Sequence, residues 1–184
     1  QSKTGAPIKT IVSNEGVEQK LAKYDVAPKE FFVVTTEKGH QLNAWMIKPK
    51  DFDATKKYPV FMFQYSGPGS QQVANQWNGI NDFWFMMLAQ QGYIVACVDG
   101  RGTGFKGAAF KKCTQKELGK YEVEDQIDAA KVFGKYTFVD KSRIGIFGWS
   151  YGGFMATNCI FQGADVFKSA IAVAPVTSWR YYDS

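Results

Sequence analysis

Short apolar runs alternate with segments of helical periodicity from residue 59 onward. The apolar runs cover residues 59–65, 93–98, 144–147 and 170–174. Each is four to seven residues long and apolar on both faces, which is typical of parallel strands covered on both sides. The helical segments between them cover residues 82–91, 122–135 and 154–161. This alternation predicts an α/β fold, with a mostly parallel sheet, helices on both faces and right-handed crossovers.

The part of the chain before residue 59 is organised differently. Residues 1–30 are polar, with an amphipathic turn or two at residues 17–24, and we interpret them as a linker or the tail of an upstream domain. Residues 31–36 and 42–47 have the composition of strands, and the short turn between them predicts a hairpin. We therefore expect residues 31–184 to belong to one domain.

Composition and charge exclude several classes of function. With 184 residues the chain is long enough for one domain and too short for two ordinary ones. The net charge of +5 comes from scattered lysines without a run of like charges, which argues against nucleic-acid binding. No apolar stretch reaches the ~18 residues that a membrane span needs. The chain has three cysteines, at positions 97, 113 and 159, and no C-x-x-C pair. Cys97, Cys113 and Cys159 therefore predict neither a zinc site nor a disulfide framework. No metal or cofactor is expected.

The motif that carries chemistry is Gly-Trp-Ser-Tyr-Gly at residues 148–152, which matches G-x-S-x-G. It lies between the predicted strand ending at Phe147 and the predicted helix starting at Phe154. This strand–turn–helix context is the nucleophile elbow of the α/β-hydrolase fold. It predicts Ser150 as the catalytic nucleophile and the backbone N–H of Tyr151 as an oxyanion donor. The alternative is a glycine-rich turn in which the serine only caps the helix.

A second candidate is the loop Tyr-Ser-Gly-Pro-Gly at residues 65–69, which directly follows a predicted central strand. Hydrolases of this fold build the other half of the oxyanion hole at that position. The hydroxyl of Tyr65 is a suitable donor to a developing oxyanion. Taken by itself, however, such a loop is more often an ordinary turn.

A rival motif, G-x-G-x-x-G, occurs at residues 102–107. A dinucleotide site would need an acidic residue at the end of the next strand, about 20 residues further on. That interval falls instead in the acidic helical segment, and Asp99 would repel a pyrophosphate. We therefore predict no nucleotide cofactor and interpret residues 99–102 as a loop beside the active site.

A serine nucleophile needs a base, normally a histidine held by a carboxylate. The single histidine, His40, lies in a hairpin turn upstream of the serine, and this fold has the order Ser, acid, His. We interpret His40 as a solvated turn residue. The acids after Ser150 are Asp165 and Asp183. We expect the chain to be a piece of a longer protein that stops before the last strands and is inactive by itself.

The chain resembles the prolyl oligopeptidase family of serine peptidases, in particular its dipeptidyl peptidase IV branch. The matching segments span most of residues 58–184, and residues before 58 match more loosely. They are Tyr-Pro at 58–59, Tyr-Ser-Gly-Pro at 65–68, Asp-Gly-Arg-Gly at 99–102, Glu-Val-Glu-Asp-Gln at 122–126, Gly-Trp-Ser-Tyr-Gly-Gly at 148–153, Val-Phe-Lys at 166–168, Ile-Ala-Val-Ala-Pro-Val at 171–176, and then Trp179, Tyr181, Tyr182, Asp183 and Ser184.

The resemblance implies roles for individual residues. Ser150 would be the nucleophile, and the Tyr65 hydroxyl would share the oxyanion hole with the Tyr151 N–H. A flat apolar S1 pocket that accepts proline would be lined by Tyr151, Val176, Trp179 and Tyr182. The alternative for the cluster at residues 179–182 is plain core packing.

For the parent protein, the resemblance implies an exopeptidase that releases N-terminal dipeptides with proline or alanine second, through an acyl-enzyme. Residues 1–30 would join a propeller-like upstream domain to residues 31–184, the N-terminal part of the catalytic domain. The missing acid and histidine, and the glutamates that hold the substrate's amino group, would lie outside this chain. The parent is expected to be a homodimer located in the periplasm, secreted or at the cell surface. Two alternatives remain: an esterase or acyl-peptide hydrolase of the same fold, and a non-catalytic binding module.

Overall fold

A computed structural model describes residues 3–24 and 26–182, which contain one six-stranded sheet. The strands are β1 (Glu30–Thr35), β2 (Gln41–Ile47), β3 (Tyr58–Phe63), β4 (Ile94–Asp99), β5 (Val139–Trp149) and β6 (Ser169–Val173). The α-helices are α1 (Glu15–Leu21), α2 (Ile80–Gln90), α3 (Ala108–Lys112), α4 (Tyr121–Phe133) and α5 (Tyr151–Gln162), and a 3₁₀ helix covers Trp179–Tyr181.

The strands lie side by side in the order β1-β2-β4-β3-β5-β6. Strands β4, β3, β5 and β6 are parallel, whereas β1 and β2 form an antiparallel hairpin whose second strand pairs with β4. The predicted hairpin and the mostly parallel sheet are therefore confirmed. In the interior pair β3 and β5, Phe63 of β3 lies beside Phe147 of β5, so the two strands end close to each other.

The sheet is buried on both faces by helices. Val60 and Met62 of β3 belong to a core cluster that includes buried residues of α4 and α5. Phe61 and Phe63, one position along, pack into a second cluster with residues of α2. Successive side chains of a strand point to opposite faces, so an apolar residue at every position requires cover on both sides. The predicted arrangement of helices on both faces is confirmed.

Several boundaries differ from the prediction for local reasons. Strand β5 begins at Val139 rather than at residue 144, because residues 140–143 are polar and mostly exposed and carry no strand pattern. Helix α5 begins directly after Ser150 rather than at residue 154. Helix α3 has five residues, too few for a periodic signal. Helix α1 lies slightly upstream of the predicted turn at residues 17–24 and buries none of its residues.

Strand β6 lies at the edge of the sheet in the described residues. Its pairing partner is β5, and Ile171 and Val173 are 51% and 45% exposed. In the same residues, no helix has both the length and the apolar character needed to cross a lipid bilayer.

The helix face that covers the sheet can be tested at Phe133, which is 0% exposed and packs against the ring of Phe32. Phe133→Ala is expected to lower the free energy of unfolding by about 3–5 kcal/mol, because a large cavity forms in a close-packed core. Urea unfolding measures this loss. Phe105→Ala is the matched control, because Phe105 is 82% exposed and its truncation should change stability by less than about 0.5 kcal/mol. Equal losses in the two variants would contradict the assignment of the core.

Candidate active site

Ser150 occupies a strained turn between β5 and α5. Its φ of 55° and ψ of −119° lie in a region that residues with a side chain rarely adopt. The Ser150 N–H donates to the carbonyl of Val173 at 2.9 Å, and its carbonyl accepts from the N–H of Phe154 at 3.0 Å. The turn is thus held by β6 on one side and by α5 on the other. The strand–turn–helix context predicted for this serine is confirmed.

The glycines of the motif allow the turn to approach the end of β3 closely. A Cβ atom on Gly148 would lie 2.5 Å from the carbonyl oxygen of Gly152, and one on Gly152 would lie 2.7 Å from that of Gln64. The buried side-chain amide of Gln64 also donates to the Gly152 carbonyl at 2.8 Å. No side chain fits at either glycine, because backbone from two elements already occupies the space.

This close approach makes Gly148→Ala a direct test of the elbow. The added methyl group must displace backbone, so we expect a loss of about 1–3 kcal/mol of stability. We also expect slower labelling of Ser150 by a fluorophosphonate. Thermal denaturation and labelling kinetics of the full-length protein measure the two effects.

The control for this variant is Gly134→Ala at the end of α4. Gly134 has a helical φ of −61°, and the nearest atom to an added Cβ lies 3.4 Å away, which is ordinary contact. This variant should keep or slightly raise stability. If Gly148→Ala behaves like Gly134→Ala, the elbow geometry is wrong.

Tyr65 follows β3 at the start of a second strained loop. The next residue, Ser66, is buried with a φ of 62°, and its hydroxyl accepts from the Gln126 side chain at 3.3 Å. Ala174, directly after β6, has a φ of 43°. Left-handed residues other than glycine thus follow three neighbouring parallel strands, at Ser66, Ser150 and Ala174. Strain of this kind tends to concentrate at functional sites.

All the site residues that the sequence predicted line one pocket of about 260 Å³. The predicted members are Ser150, Tyr65, Tyr151, Val176, Trp179 and Tyr182. The ring centroids of Tyr151 and Trp179 are 5.5 Å apart, and those of Trp179 and Tyr182 are 5.3 Å apart. Trp179 therefore packs against Tyr151, and Tyr182 packs against Trp179 at the border of the same cavity.

The pocket also contains a residue that sequence reasoning missed. Leu118 lines the same cavity from the turn that precedes α4. It belongs to no motif, and its exposed position in a polar turn gives no signal of a role. The walls of the pocket are therefore mainly aromatic and aliphatic side chains around the Ser150 hydroxyl.

The arrangement can support acyl transfer. Tyr151 is the first residue of α5, so its N–H has no partner within the helix and lies at the positive end of the helix dipole. The Tyr65 side chain lines the same cavity as Ser150. A serine hydroxyl, a backbone N–H at a helix N-terminus and a tyrosine hydroxyl at one cavity are the kinds of group that acyl transfer through an oxyanion uses.

Among the described residues, His40 and Asp165 are not part of the pocket that contains Ser150. His40 lies in the turn between β1 and β2, half-buried rather than fully solvated, and its N–H donates to the Thr36 hydroxyl at 3.1 Å. Strand β2 is three strand spacings from β5, which is about 14 Å and far beyond hydrogen-bonding reach. Asp165 is exposed and lines a different groove, and Asp183 lies outside the described residues.

The loop that contains the G-x-G-x-x-G pattern lies against the Tyr65 loop, as predicted. The carbonyl of Gly102 accepts from the N–H of Gly69 at 2.8 Å, and the N–H of Gly104 donates to the carbonyl of Ser70 at 2.9 Å. A Cβ on Gly104 would lie 3.1 Å from the Gly69 carbonyl. The glycines therefore serve the packing of two loops beside the pocket.

Asp99, at the end of β4, organises the same loop through its buried carboxylate. The carboxylate accepts hydrogen bonds from the N–H groups of Gln72, at 3.0 Å, and Val73, at 2.8 Å. Burial raises the pKa of Asp99 from its ordinary 3.8 to about 6, although these N–H donors oppose the shift. The folded protein thus holds this proton more tightly than the unfolded chain does.

The raised pKa of Asp99 gives stability a defined pH dependence. Between the unfolded and folded pKa values the folded state binds more protons, so this stabilisation is present at low pH and is lost as the pH rises through about 6. Asp99→Asn cannot ionise. Its free energy of unfolding relative to wild type should therefore rise by about 2 kcal/mol between roughly pH 4.5 and 8.

Unfolding titrations across that range, with Asp140→Asn as control, test the shift. Hydrogen bonds from Ser142 and Arg143 lower the pKa of the partly exposed Asp140 to about 2, so its contribution to the pH dependence of stability is confined to pH values below about 4. The difference between Asp140→Asn and wild type should stay flat over the range. A flat difference for Asp99→Asn as well would contradict the assignment.

The sheet order and the serine turn define an α/β-hydrolase fold. Residues 81–184 match the prolyl oligopeptidase family. The chain belongs to this family, and the resemblance noted from its motifs is confirmed.

Named relatives are dipeptidyl peptidases. The chain is 47% identical over 166 residues to the probable dipeptidyl-aminopeptidase B of Trichophyton verrucosum, covering 90% of this chain and 18% of that protein. It is 41% identical over 180 residues to dipeptidyl peptidase 4 of Trichophyton equinum, covering 97% and 23%. The crystal structure of Porphyromonas gingivalis dipeptidyl peptidase 4 matches with a TM-score of 0.90 at 46% identity, covering 100% of this chain and 26% of that one. The chain thus spans about a fifth of the curated relatives' length.

Proposed function

We propose that the parent of this chain is a serine exopeptidase that removes N-terminal dipeptides with proline or alanine in the second position. The observation that carries the proposal is the opening of the Ser150 elbow onto an aromatic pocket of about 260 Å³ that also contains Tyr65 and Tyr151. Membership in the prolyl oligopeptidase family and the names of the relatives support it.

The proposed reaction proceeds through an acyl-enzyme. The Ser150 hydroxyl loses its proton to a base and attacks the carbonyl carbon after the second residue of the peptide. The resulting oxyanion accepts hydrogen bonds from the Tyr65 hydroxyl and the Tyr151 N–H. The C–N bond then breaks, and the leaving amine takes the proton from the base. Water attacks the ester, releases the dipeptide and restores the serine.

The pocket gives a reason for the preference at the second residue. Its walls are the rings of Tyr151, Trp179 and Tyr182 with the side chain of Val176, and these surfaces favour a compact apolar group. A proline ring is flat, rigid and of suitable size. Alanine enters the same space and leaves part of it unfilled, so it should be accepted less well.

The base belongs, in this proposal, to a part of the parent outside the chain. His40 is the only histidine of the sequence, and it lies in the turn between β1 and β2. These two strands are too far from β5 for its side chain to reach Ser150. We therefore propose that the isolated chain has no appreciable turnover. Residues 1–30, of which the described ones bury little, would connect an upstream domain to the hydrolase domain formed from residue 31 onward.

The test uses the full-length parent and a chromogenic amide of Gly-Pro. Ser150→Ala should abolish turnover and fluorophosphonate labelling at this position. Tyr65→Phe should keep labelling but lower kcat by roughly 10²–10³, the usual effect of removing one oxyanion donor, with a small change in KM. Kinetics at saturating substrate separate the two parameters.

The controls distinguish the alternatives. Tyr93→Phe removes a hydroxyl from an exposed tyrosine that precedes β4, at the end of this strand opposite Asp99, and should retain wild-type rates. Faster cleavage of a p-nitrophenyl ester or of an N-acetylated peptide than of Gly-Pro amide would favour an esterase or acyl-peptide hydrolase. Absence of both turnover and labelling in the wild type would favour a binding module.

A further inference from the structure

A buried carboxylate lies behind the pocket wall that Tyr151 forms. Glu122, in the first turn of α4, is 0% exposed. The Tyr151 hydroxyl donates to its Oε1 at 2.6 Å, and the N–H of Gly119 donates to its Oε2 at 3.1 Å. Both oxygens of the carboxylate therefore have a donor inside the protein.

A role in stabilising the helix does not explain this burial. An acidic residue near a helix N-terminus interacts favourably with the dipole while it remains in water, and the nearby Glu124 is only partly buried. Burying a carboxylate is costly unless hydrogen bonds replace its hydration. A hydrogen bond to an ionised acceptor is among the stronger ones in proteins. The contact with Tyr151 is thus the feature that distinguishes Glu122.

The tyrosine remains a donor under all ordinary conditions. Burial raises the pKa of the Tyr151 hydroxyl, and the hydrogen bond to Glu122 raises it further. The hydroxyl is thereby directed to Glu122 and away from the pocket, so that the substrate meets the ring of Tyr151 and not its polar tip.

Both ends of the Tyr151 side chain are fixed. Its backbone belongs to the elbow, and its hydroxyl is bound by Glu122. Between these points the ring packs against Trp179, at 5.5 Å between centroids, and Tyr65, at 6.2 Å. A ring held in this way cannot rotate to accommodate a different side chain, and it presents a constant flat surface to the substrate.

We propose that Glu122 is a positioning residue that sets the preference for proline by holding the Tyr151 ring as a rigid wall of the pocket. The proposal rests on the peptidase function proposed above. A rigid flat wall favours the proline ring, which stacks on it, more than alanine, which hardly touches it. Loss of Glu122 should therefore reduce discrimination between the two residues.

The experiment measures kcat/KM of the full-length parent for Gly-Pro and Gly-Ala p-nitroanilides. In Glu122→Ala, the ratio of the two values should fall about tenfold, the effect of losing one charged hydrogen bond at the wall. Glu122→Gln, whose amide oxygen still accepts from the tyrosine, should lose only about threefold. Tyr151→Phe should match Glu122→Ala, and the double variant should show no further fall, because one contact is removed in all three.

The ratio is the decisive readout because it does not depend on how much of the enzyme is folded. A variant that is merely unstable lowers both rates equally and leaves the ratio unchanged, and that result would overturn the proposal. Effects of Glu122→Ala and Tyr151→Phe that multiply in the double variant would overturn it as well. Glu117→Gln is the matched control, since Glu117 is an exposed carboxylate paired with Lys120, and its ratio should equal that of the wild type.

A wild-type parent that cleaves neither substrate would defeat the proposed peptidase function and not the role of Glu122. In that case two fluorophosphonates report the same discrimination through their labelling rates at Ser150. One carries a cyclopentyl group and the other a methyl group. Their rate ratio should fall in Glu122→Ala, and an unchanged ratio would overturn the positioning role.

Discussion

The site depends on the close contact between the end of β3 and the turn that follows β5. Both strands are interior strands of the sheet, and their register places Phe63 beside Phe147. Immediately beyond this pair, the backbone and side-chain amide of Gln64 fill the space that side chains at residues 148 and 152 would need. Two distant parts of the sequence are thereby brought together by strand pairing. The positions of Tyr65 and Ser150 relative to each other follow from the register of a buried sheet and do not rely on flexible loops.

Two buried carboxylates support this centre from behind. Asp99 binds backbone N–H groups of the loop after Tyr65, and Glu122 binds the hydroxyl of Tyr151. Neither relies on a neighbouring cation for these contacts, unlike Asp125, which pairs with Arg101 at 2.7 Å. A buried carboxylate that accepts hydrogen bonds from N–H and O–H groups fixes the orientation of these groups more closely than an ion pair would, because each hydrogen bond has one favourable line of approach. The energetic cost of burial appears in the raised pKa of Asp99.

Much of the fold and of the site was predictable, because both depend on local patterns. Strands that are apolar on both faces predict a covered parallel sheet, and the motif around Ser150 predicts the nucleophile elbow because a strand precedes it and a helix follows it. The strand order was not predictable, since pairing of β2 with β4 involves no local signal. The role of Glu122 was not predictable either, because its burial is a property of the packed structure. The same holds for Leu118, which lines the pocket only because the folded chain places the turn before α4 beside it.

The order of the strands has a consequence for the origin of the pocket. From β3 the chain turns to the face covered by α2, and from the adjacent β5 it turns to the opposite face, which α5 covers. The two connections diverge, so a crevice opens at the carboxyl ends of these strands, as it does wherever the winding of such a sheet reverses direction. The cavity beside Ser150 is thus a result of the backbone topology and does not depend on which side chains line it. The residues that line it can differ between proteins of this fold while the sheet that creates it stays the same.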